Sequence, residues 1–246
     1  MGNRCKFAEN CFVRRVKKAV NEAKILIVNH HLLFSDIQVR LSSQNYDDAA
    51  VLPPYTRLIF DEAHGIEAAA TSFFSESLNK FSIQKQLNLL YRQRRKAAAG
   101  LLFSLHALSD SPVEMNEVVA ALDQIKVDMQ LLEDSALDLI QNQFTWRLCE
   151  ATAFSAGTIL EKFEKLNASI YEFVRLVRKV LEGIKEKDTE LPSVWESKQV
   201  LKRIESLGLL CKNFITWEER PNSVFWLEKR SLSSGGIFVR FIETPL

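Results

Sequence analysis

The sequence predicts a predominantly helical protein that combines a partial α/β domain, a long antiparallel helix pair and a short antiparallel β segment. Hydrophobic residues make up 47% of the 246 residues, and there are only 8 glycines and 6 prolines, a composition typical of a folded, helix-rich chain. From about residue 66 to 212, apolar residues recur every three or four positions, the spacing of helices with one buried face. Short runs of consecutive apolar residues lie on either side of this segment and favour strands.

Charge and cysteine content exclude several classes of protein. The 32 Lys and Arg residues nearly balance the 31 Asp and Glu residues, so the chain as a whole gives no electrostatic argument for an acidic partner. Four cysteines are too few for a disulfide scaffold. Neither an apolar leader nor a run of about 18 apolar residues is present. We therefore expect a cytoplasmic protein without a membrane partner.

The first 66 residues predict a helix and two buried strands. Residues 12–23 alternate apolar and basic residues at helical spacing. Residues 25–28 and 58–60 are continuous apolar runs of the kind found in strands that are buried on both faces. The second run leads directly into Asp61 and Glu62. This places two carboxylates at the carboxyl end of a predicted strand, where open α/β sheets bind ligands.

The helical middle contains two seams with the same repeat. One runs from Val118 to Leu139 and the other from Ile159 to Ile184, and in both the apolar spacing alternates between four and three residues. Two matched seams of this period pack most simply on each other as a long antiparallel pair. We expect the first helix to open with a capping box from Ser111 to Glu114.

After residue 212 the pattern returns to β structure. The apolar runs 214–217, 224–227 and 237–241 are separated by turn-forming residues and predict a three-stranded meander. Together with the earlier changes of pattern, this divides the chain into four segments: residues 1–24, 25–66, 67–212 and 213–246.

The Asp61-Glu62-Ala63-His64 motif is the most specific signal in the sequence. A strand that delivers Asp and then Glu suits a nucleotide hydrolase, because one carboxylate can hold Mg²⁺ while the other polarises the attacking water. A structural alternative is that Asp61 caps a helix and Glu62 complements its dipole. A zinc protease would need His-Glu-x-x-His, which this segment does not supply.

Three motifs together resemble the iron–sulfur superfamily 2 DNA helicases of the DinG and XPD type, and DinG more closely. They are Cys5-x5-Cys11, the segment Ile27-Val28-Asn29-His30-His31-Leu32-Leu33, and the D-E-A-H box. The resemblance is firm over about the first 70 residues and architectural in the helical middle. It implies that residues 1–24 end the iron–sulfur region, that 25–66 and 213–246 belong to the first motor domain, and that 67–212 form the arch.

The resemblance implies ATP-driven translocation on single-stranded DNA and unwinding of forked duplex DNA, in repair or recombination. Asp61 would hold Mg²⁺ with ATP, Glu62 would activate water, and His64 would couple the nucleotide site to other motor motifs. Cys5 and Cys11 would supply half of a [4Fe–4S] site. Residues 1–24 contain seven basic and two acidic residues, which favours contact with phosphates. The residues that would contact DNA are Arg14, Arg15, Lys17, Lys18, Asn29 and His30.

The sequence also departs from this family. It contains no G-x-x-x-x-G-K-[ST] phosphate loop and only two of the four cluster cysteines. We therefore expect an internal piece of a helicase that binds no ATP, Mg²⁺ or cluster by itself and does not hydrolyse ATP. The alternatives are a related helicase with an RNA or nuclease-linked function and a noncatalytic interaction module built on the helix pair. We interpret the basic run from Arg92 to Lys96 as a solvated helix end.

Overall fold

The computed structural model describes residues 9–43, 50–94 and 97–246, and the chain divides into two compact units, Met1–Phe74 and Ser75–Leu246. The prediction of a predominantly helical chain with a short antiparallel β segment is confirmed. In the first unit, the described residues form α1 (Phe12–Glu22), α2 (His30–Ser43) and α3 (Ile66–Phe74). In the second unit they form β1 (Glu76–Leu78), α4 (Lys80–Leu90), β2 (Arg92–Arg94), β3 (Ala97–Ala99), α5 (Leu101–Leu108), α6 (Met115–Ile140), β4 (Thr145–Leu148), α7 (Ala153–Glu182), α8 (Pro192–Ile215), β5 (Ser223–Ser231) and β6 (Ile237–Pro245).

The antiparallel helix pair predicted from the 3.5-residue seams is present as α6 and α7. The Ser169 hydroxyl donates to Asp128 near the middle of the pair, and the Asp110 amide donates to the Gly183 carbonyl at its end, 3.0 Å away. Helix α8 returns along α7, so three long helices pack side by side. The predicted capping box from Ser111 to Glu114 is wrong, because α6 begins at Met115 and its N-cap residue, Glu114, makes no side-chain capping hydrogen bond.

An aromatic cluster joins these helices to the sheet. The ring of Phe163 on α7 stacks on Phe214 of α8 with centroids 4.6 Å apart, and it meets Phe241 of β6 edge-on at 5.2 Å. Phe225 of β5 packs edge-on against Phe214 at 5.0 Å. All four side chains are at most 1% exposed. The C-terminal strands therefore share one core with the long helices.

The predicted three-stranded meander is wrong in its first strand. Phe214 and Ile215 end α8, and Trp217–Glu219 form a 3₁₀ turn. The helix continues to this point because Phe214 carries on the apolar spacing of α8 into the core. Only β5 and β6 form the expected hairpin. Short strands from the helical region complete an antiparallel sheet of order β1-β6-β5-β4.

The two segments predicted to be strands before the D-E-A-H box have no regular secondary structure and no strand partner among the described residues. Ile25, Ile27 and Ile59 are 82%, 97% and 94% exposed. An apolar run becomes a buried strand only where neighbouring strands accept its hydrogen bonds and packed layers cover its faces. The described part of the first unit provides neither. The prediction of two buried strands is therefore wrong for this structure.

The basic run after α4 is a β-hairpin and not the predicted helix end. Arg92 pairs with Ala99, and Arg94 with Ala97, in a separate two-stranded sheet. Among the described residues, no helix combines the length and apolar character that a membrane span requires.

Candidate nucleotide and nucleic-acid site

The carboxylates of the D-E-A-H box lie at a sharp change of backbone direction. Glu62 adopts a left-handed conformation with φ 52° and ψ 46°, between the extended run that ends at Phe60 and the 3₁₀ turn Ala63–Gly65. A non-glycine residue pays a small energetic cost for this conformation, and such residues concentrate at functional sites. Helix α3 follows immediately at Ile66. The side chains of Asp61, Glu62 and His64 are consequently exposed.

The polar contacts of this segment are local. Asp61 Oδ1 accepts a hydrogen bond from the Glu62 amide at 3.1 Å, and His64 Nδ1 lies 3.1 Å from Glu62 Oε2. The Glu62 side chain makes no capping hydrogen bond to the 3₁₀ turn. The structural alternative, a helix cap made by Asp61, is not observed. Two exposed carboxylates on a strained turn are open to a cationic ligand.

The structure brings His30 next to the residue that precedes this motif. The imidazole is partly buried, with Phe34 stacked at 6.2 Å and Phe60 tilted at 6.2 Å. Asn29 caps α2, because its Oδ1 accepts a hydrogen bond from the Leu32 amide at 2.9 Å. Both residues therefore have structural partners, and His30 links the start of α2 to the D-E-A-H segment.

A buried ion pair on α2 holds the chain upstream of the motif, and sequence reasoning missed it. Asp36 is fully buried, and its Oδ2 accepts from Arg40 Nε at 2.7 Å. Its Oδ1 accepts from the amides of Val51 and Leu52 at 2.9 and 2.7 Å. Arg40 in turn donates to the Leu52 carbonyl at 3.1 Å. One turn of α2 thus ties down the segment that leads to the D-E-A-H box.

The ionisation of this pair follows from its contacts. Burial raises the pKa of Asp36, but the hydrogen bonds from Arg40 and the Leu52 amide outweigh burial and leave the pKa below its ordinary value. The pKa of Tyr55 is raised by burial and by the nearby charge of Asp36. The Arg40 guanidinium lies over the Tyr55 ring at 5.1 Å. The spacing of Asp36 and Arg40 by four helical residues was the available sequence signal.

The helix α1 presents its basic residues to solvent. The side chains of Arg14, Arg15, Lys17 and Lys18 are exposed, and α1 contains no buried residue. Its apolar residues are exposed as well, with Phe12 and Val13 at 71% and 61%. The structure therefore leaves the four predicted phosphate-contacting residues accessible.

The described residues do not fit a metal cluster by themselves. Cys11 is a free, partly exposed thiol, and Cys5 lies outside the described residues. Within residues 9–43, 50–94 and 97–246, no three His, Cys, Asp or Glu side chains converge as a ligand set. A cluster needs four ligands, so the iron–sulfur expectation stays a prediction.

Comparisons with known proteins identify relatives among helicases. No family model matches the chain. The ATP-dependent DNA helicase YoaA of Haemophilus influenzae is 25% identical over 246 residues, which is 99% of this chain and 34% of that protein. YoaA of Escherichia coli is 30% identical over 39% of this chain. The chain is therefore similar to ATP-dependent DNA helicases named YoaA.

A DinG protein itself matches a shorter stretch. The ATP-dependent helicase DinG of Mycobacterium tuberculosis is 31% identical over 80 residues, which is 32% of this chain and 11% of that protein. The chain spans about a third or less of the length of each of these curated relatives. The relationship to DinG-type helicases predicted from the three motifs is thus confirmed.

Proposed function

We propose that the chain is part of an ATP-dependent DNA helicase that translocates on single-stranded DNA and unwinds forked duplex DNA in repair or recombination, and that it does not hydrolyse ATP without a phosphate loop. The observation that supports this most directly is the exposed Asp61-Glu62 pair at the left-handed turn, within a chain that matches a DNA helicase over 99% of its length. Exposed, adjacent carboxylates are the groups that nucleotide hydrolysis requires of this motif.

The two carboxylates have different proposed tasks. Asp61 commits one oxygen to the Glu62 amide and keeps the other without a described donor, which suits a ligand of Mg²⁺. Glu62 would accept the proton of the water that attacks the γ-phosphate. Bound Mg²⁺ and ATP would supply the electrophile and neutralise its charge. His64, whose Nδ1 lies 3.1 Å from Glu62 Oε2, would couple the nucleotide site to the other motor motifs.

Contact with DNA is proposed for the first unit. Arg14, Arg15, Lys17 and Lys18 on the exposed α1 would contact phosphates. Asn29 and His30 would act through the start of α2, which they stabilise. Cys5 and Cys11 would contribute to an iron–sulfur cluster, but no step of the proposed reaction runs through that group.

The test compares ATP hydrolysis by the full-length protein with its Glu62→Gln variant, with and without single-stranded DNA. Glutamine keeps the shape of the side chain and removes the base, so we expect DNA-stimulated hydrolysis to fall by about a hundredfold or more. Glu67→Gln is the matched control, because Glu67 is an exposed acid one turn further along in α3. Normal hydrolysis by Glu62→Gln would contradict the assignment.

Strand separation assays then test whether the full-length protein acts on DNA or on RNA. The full-length protein is expected to unwind forked DNA and to leave the equivalent RNA duplex intact. Unwinding of the RNA duplex alone would favour the RNA-acting alternative.

A further inference from the structure

The longest stretch without an acidic residue lies in the second unit. Residues 77–109 contain six basic residues and no Asp or Glu, although the whole chain is nearly neutral. Such local excess of positive charge is the electrostatic footprint of a polyanion partner. This stretch folds into α4, the β2–β3 hairpin and α5.

One side of this stretch is anchored in the core and the other is open. Ile83, Leu87 and Leu90 bury one face of α4. The opposite face is exposed and carries Phe81 and Lys85, one turn apart. Five exposed side chains come from this stretch without Asp or Glu, and we call them the acid-free surface: Phe81, Lys85, Arg92, Gln93 and Phe103.

The free positive charges of the acid-free surface are Lys85 and Arg92. Lys80 is not among them, because its Nζ lies 2.8 Å from the buried Glu133 carboxylate. Neither Lys85 nor Arg92 has a carboxylate partner in the part of the chain that the structure describes. Arg95 and Lys96 follow in sequence, but their placement lies outside the described residues.

Two partly exposed aromatic rings belong to the same stretch of the chain. Phe103 is 41% exposed, and one face of its ring stacks on Tyr91, with centroids 5.9 Å apart. Phe81 is 39% exposed and meets Phe238 edge-on at 5.2 Å. Aromatic faces beside unpaired cations are typical of proteins that bind single strands, where unstacked bases pack on the rings while the cations follow the phosphates.

The base of the hairpin is closely packed. Gly100 joins β3 to α5 with φ 145°, and a Cβ there would lie only 2.1 Å from the Leu90 carbonyl oxygen at the end of α4. Only glycine permits this close approach. The approach holds the start of α5 against the end of α4, so Phe103 and Arg92 are held on preformed elements.

We propose that the acid-free surface is a second binding site for single-stranded DNA, in which Lys85 and Arg92 contact phosphates and Phe103 stacks on a base. This inference rests on the proposed function, since it assigns a further part of the chain to the same DNA. A duplex fits less well, because its bases are already stacked and offer no face to Phe103.

The test measures binding of the full-length protein to fluorescently labelled oligothymidine by anisotropy, without nucleotide. For Lys85→Glu/Arg92→Glu we expect affinity to fall by about tenfold at moderate salt. The slope of log affinity against log salt should shrink by about 1.4, as two single-strand phosphate contacts are lost. Lys85→Gln/Arg92→Gln should show the same slope change with a smaller loss. The matched control is Lys198→Glu/Arg203→Glu, which reverses one exposed Lys and one exposed Arg on α8.

A second variant tests the stacking contact. Phe103→Ala should weaken binding of oligothymidine by about fivefold or more and leave binding of blunt duplex DNA unchanged. Circular dichroism verifies that each variant retains the helical content of the unaltered protein. An equal loss for duplex and single strand would overturn the single-strand assignment.

The outcomes separate this inference from the proposed function. If the unaltered protein binds oligothymidine and Lys85→Glu/Arg92→Glu binds it equally well, the acid-free surface is refuted, while hydrolysis that depends on Glu62 still supports the helicase. If the α8 control loses as much affinity, the effect is one of total charge and the site is also refuted. If Glu62→Gln hydrolyses ATP normally while the surface variants lose binding, the proposed catalytic assignment fails alone.

Discussion

The contacts of Asp36 and Arg40 on α2 predict how the segment that leads to the D-E-A-H box responds when this ion pair is broken. Asp36→Ala removes the acceptor of the Val51 and Leu52 amides and the counter-charge of Arg40. The Arg40 guanidinium is only about 6% exposed, so it would stay buried without a carboxylate. We expect the segment around residues 50–53 to detach from α2.

The structure sets the size of this effect. Removing one partner of a buried ion pair costs about 3–5 kcal/mol. Since about 1.4 kcal/mol corresponds to a factor of ten, a cost of about 3 kcal/mol means that the segment around residues 50–53 opens about a hundredfold more often. Hydrogen–deuterium exchange of the Val51 and Leu52 amides in the full-length protein measures this directly. Both amides should exchange about a hundredfold faster in Asp36→Ala.

Two further variants identify the cause. Asp36→Asn keeps an oxygen for the two amides but removes the charge, so exchange should accelerate less than in Asp36→Ala. Asp123→Ala is the control, since Asp123 forms an exposed ion pair with Lys126, and such pairs contribute about 0–1 kcal/mol. Exchange of the Val51 and Leu52 amides within threefold of the unaltered protein in Asp36→Ala would refute the reasoning.

Three other predictions concern the second unit. Gly100→Ala should lower the free energy of unfolding by at least about 2 kcal/mol, because the added methyl group collides with the Leu90 carbonyl. Gly157→Ala should raise the free energy of unfolding by about 0.5–1 kcal/mol, because Gly157 lies on α7 with open space around it. Urea denaturation measures both values. Phe163→Ala should cost about 3–5 kcal/mol in the same assay, and a loss below about 1 kcal/mol would contradict the aromatic core. Burial lowers the pKa of His106, so the unfolded state binds the proton more readily than the folded state as the pH drops below about 6.5. The melting temperature should therefore fall below that pH. The melting temperature of His106→Gln should fall less over the same pH range.

The helix pair was predictable because its signal is local. An apolar residue at every third or fourth position commits one face of α6 and one face of α7 to burial, whatever else surrounds them. The relationship to helicases was also predictable from the sequence, because the D-E-A-H box and the segment around Asn29 and His30 are defined by residue identity and order. These features could therefore be predicted without knowing which distant residues pack against them.

The errors arose where the outcome depends on distant partners. Residues 25–28 and 58–60 have strand composition, yet a strand exists only when another segment accepts its hydrogen bonds. Phe214 was assigned to a strand from its apolar run, but it continues the apolar spacing of α8, and its ring packs against Phe163 and Phe241. The strands β1 and β4 were too short to predict, and they form because β1 pairs with β6 and β4 pairs with β5.

By itself, the sequence determined the helical class and the long antiparallel pair, and it predicted a nucleotide site at Asp61 and Glu62, because each signal depends on the order of neighbouring residues. Only the tertiary structure decided that Asp36 and Arg40 hold residues 50–53 to α2, and that Gly100 at the base of the hairpin packs against the Leu90 carbonyl. Those features join groups that are ten or more positions apart in the chain. No local pattern encodes such contacts, since they form only when the packed core brings the groups together.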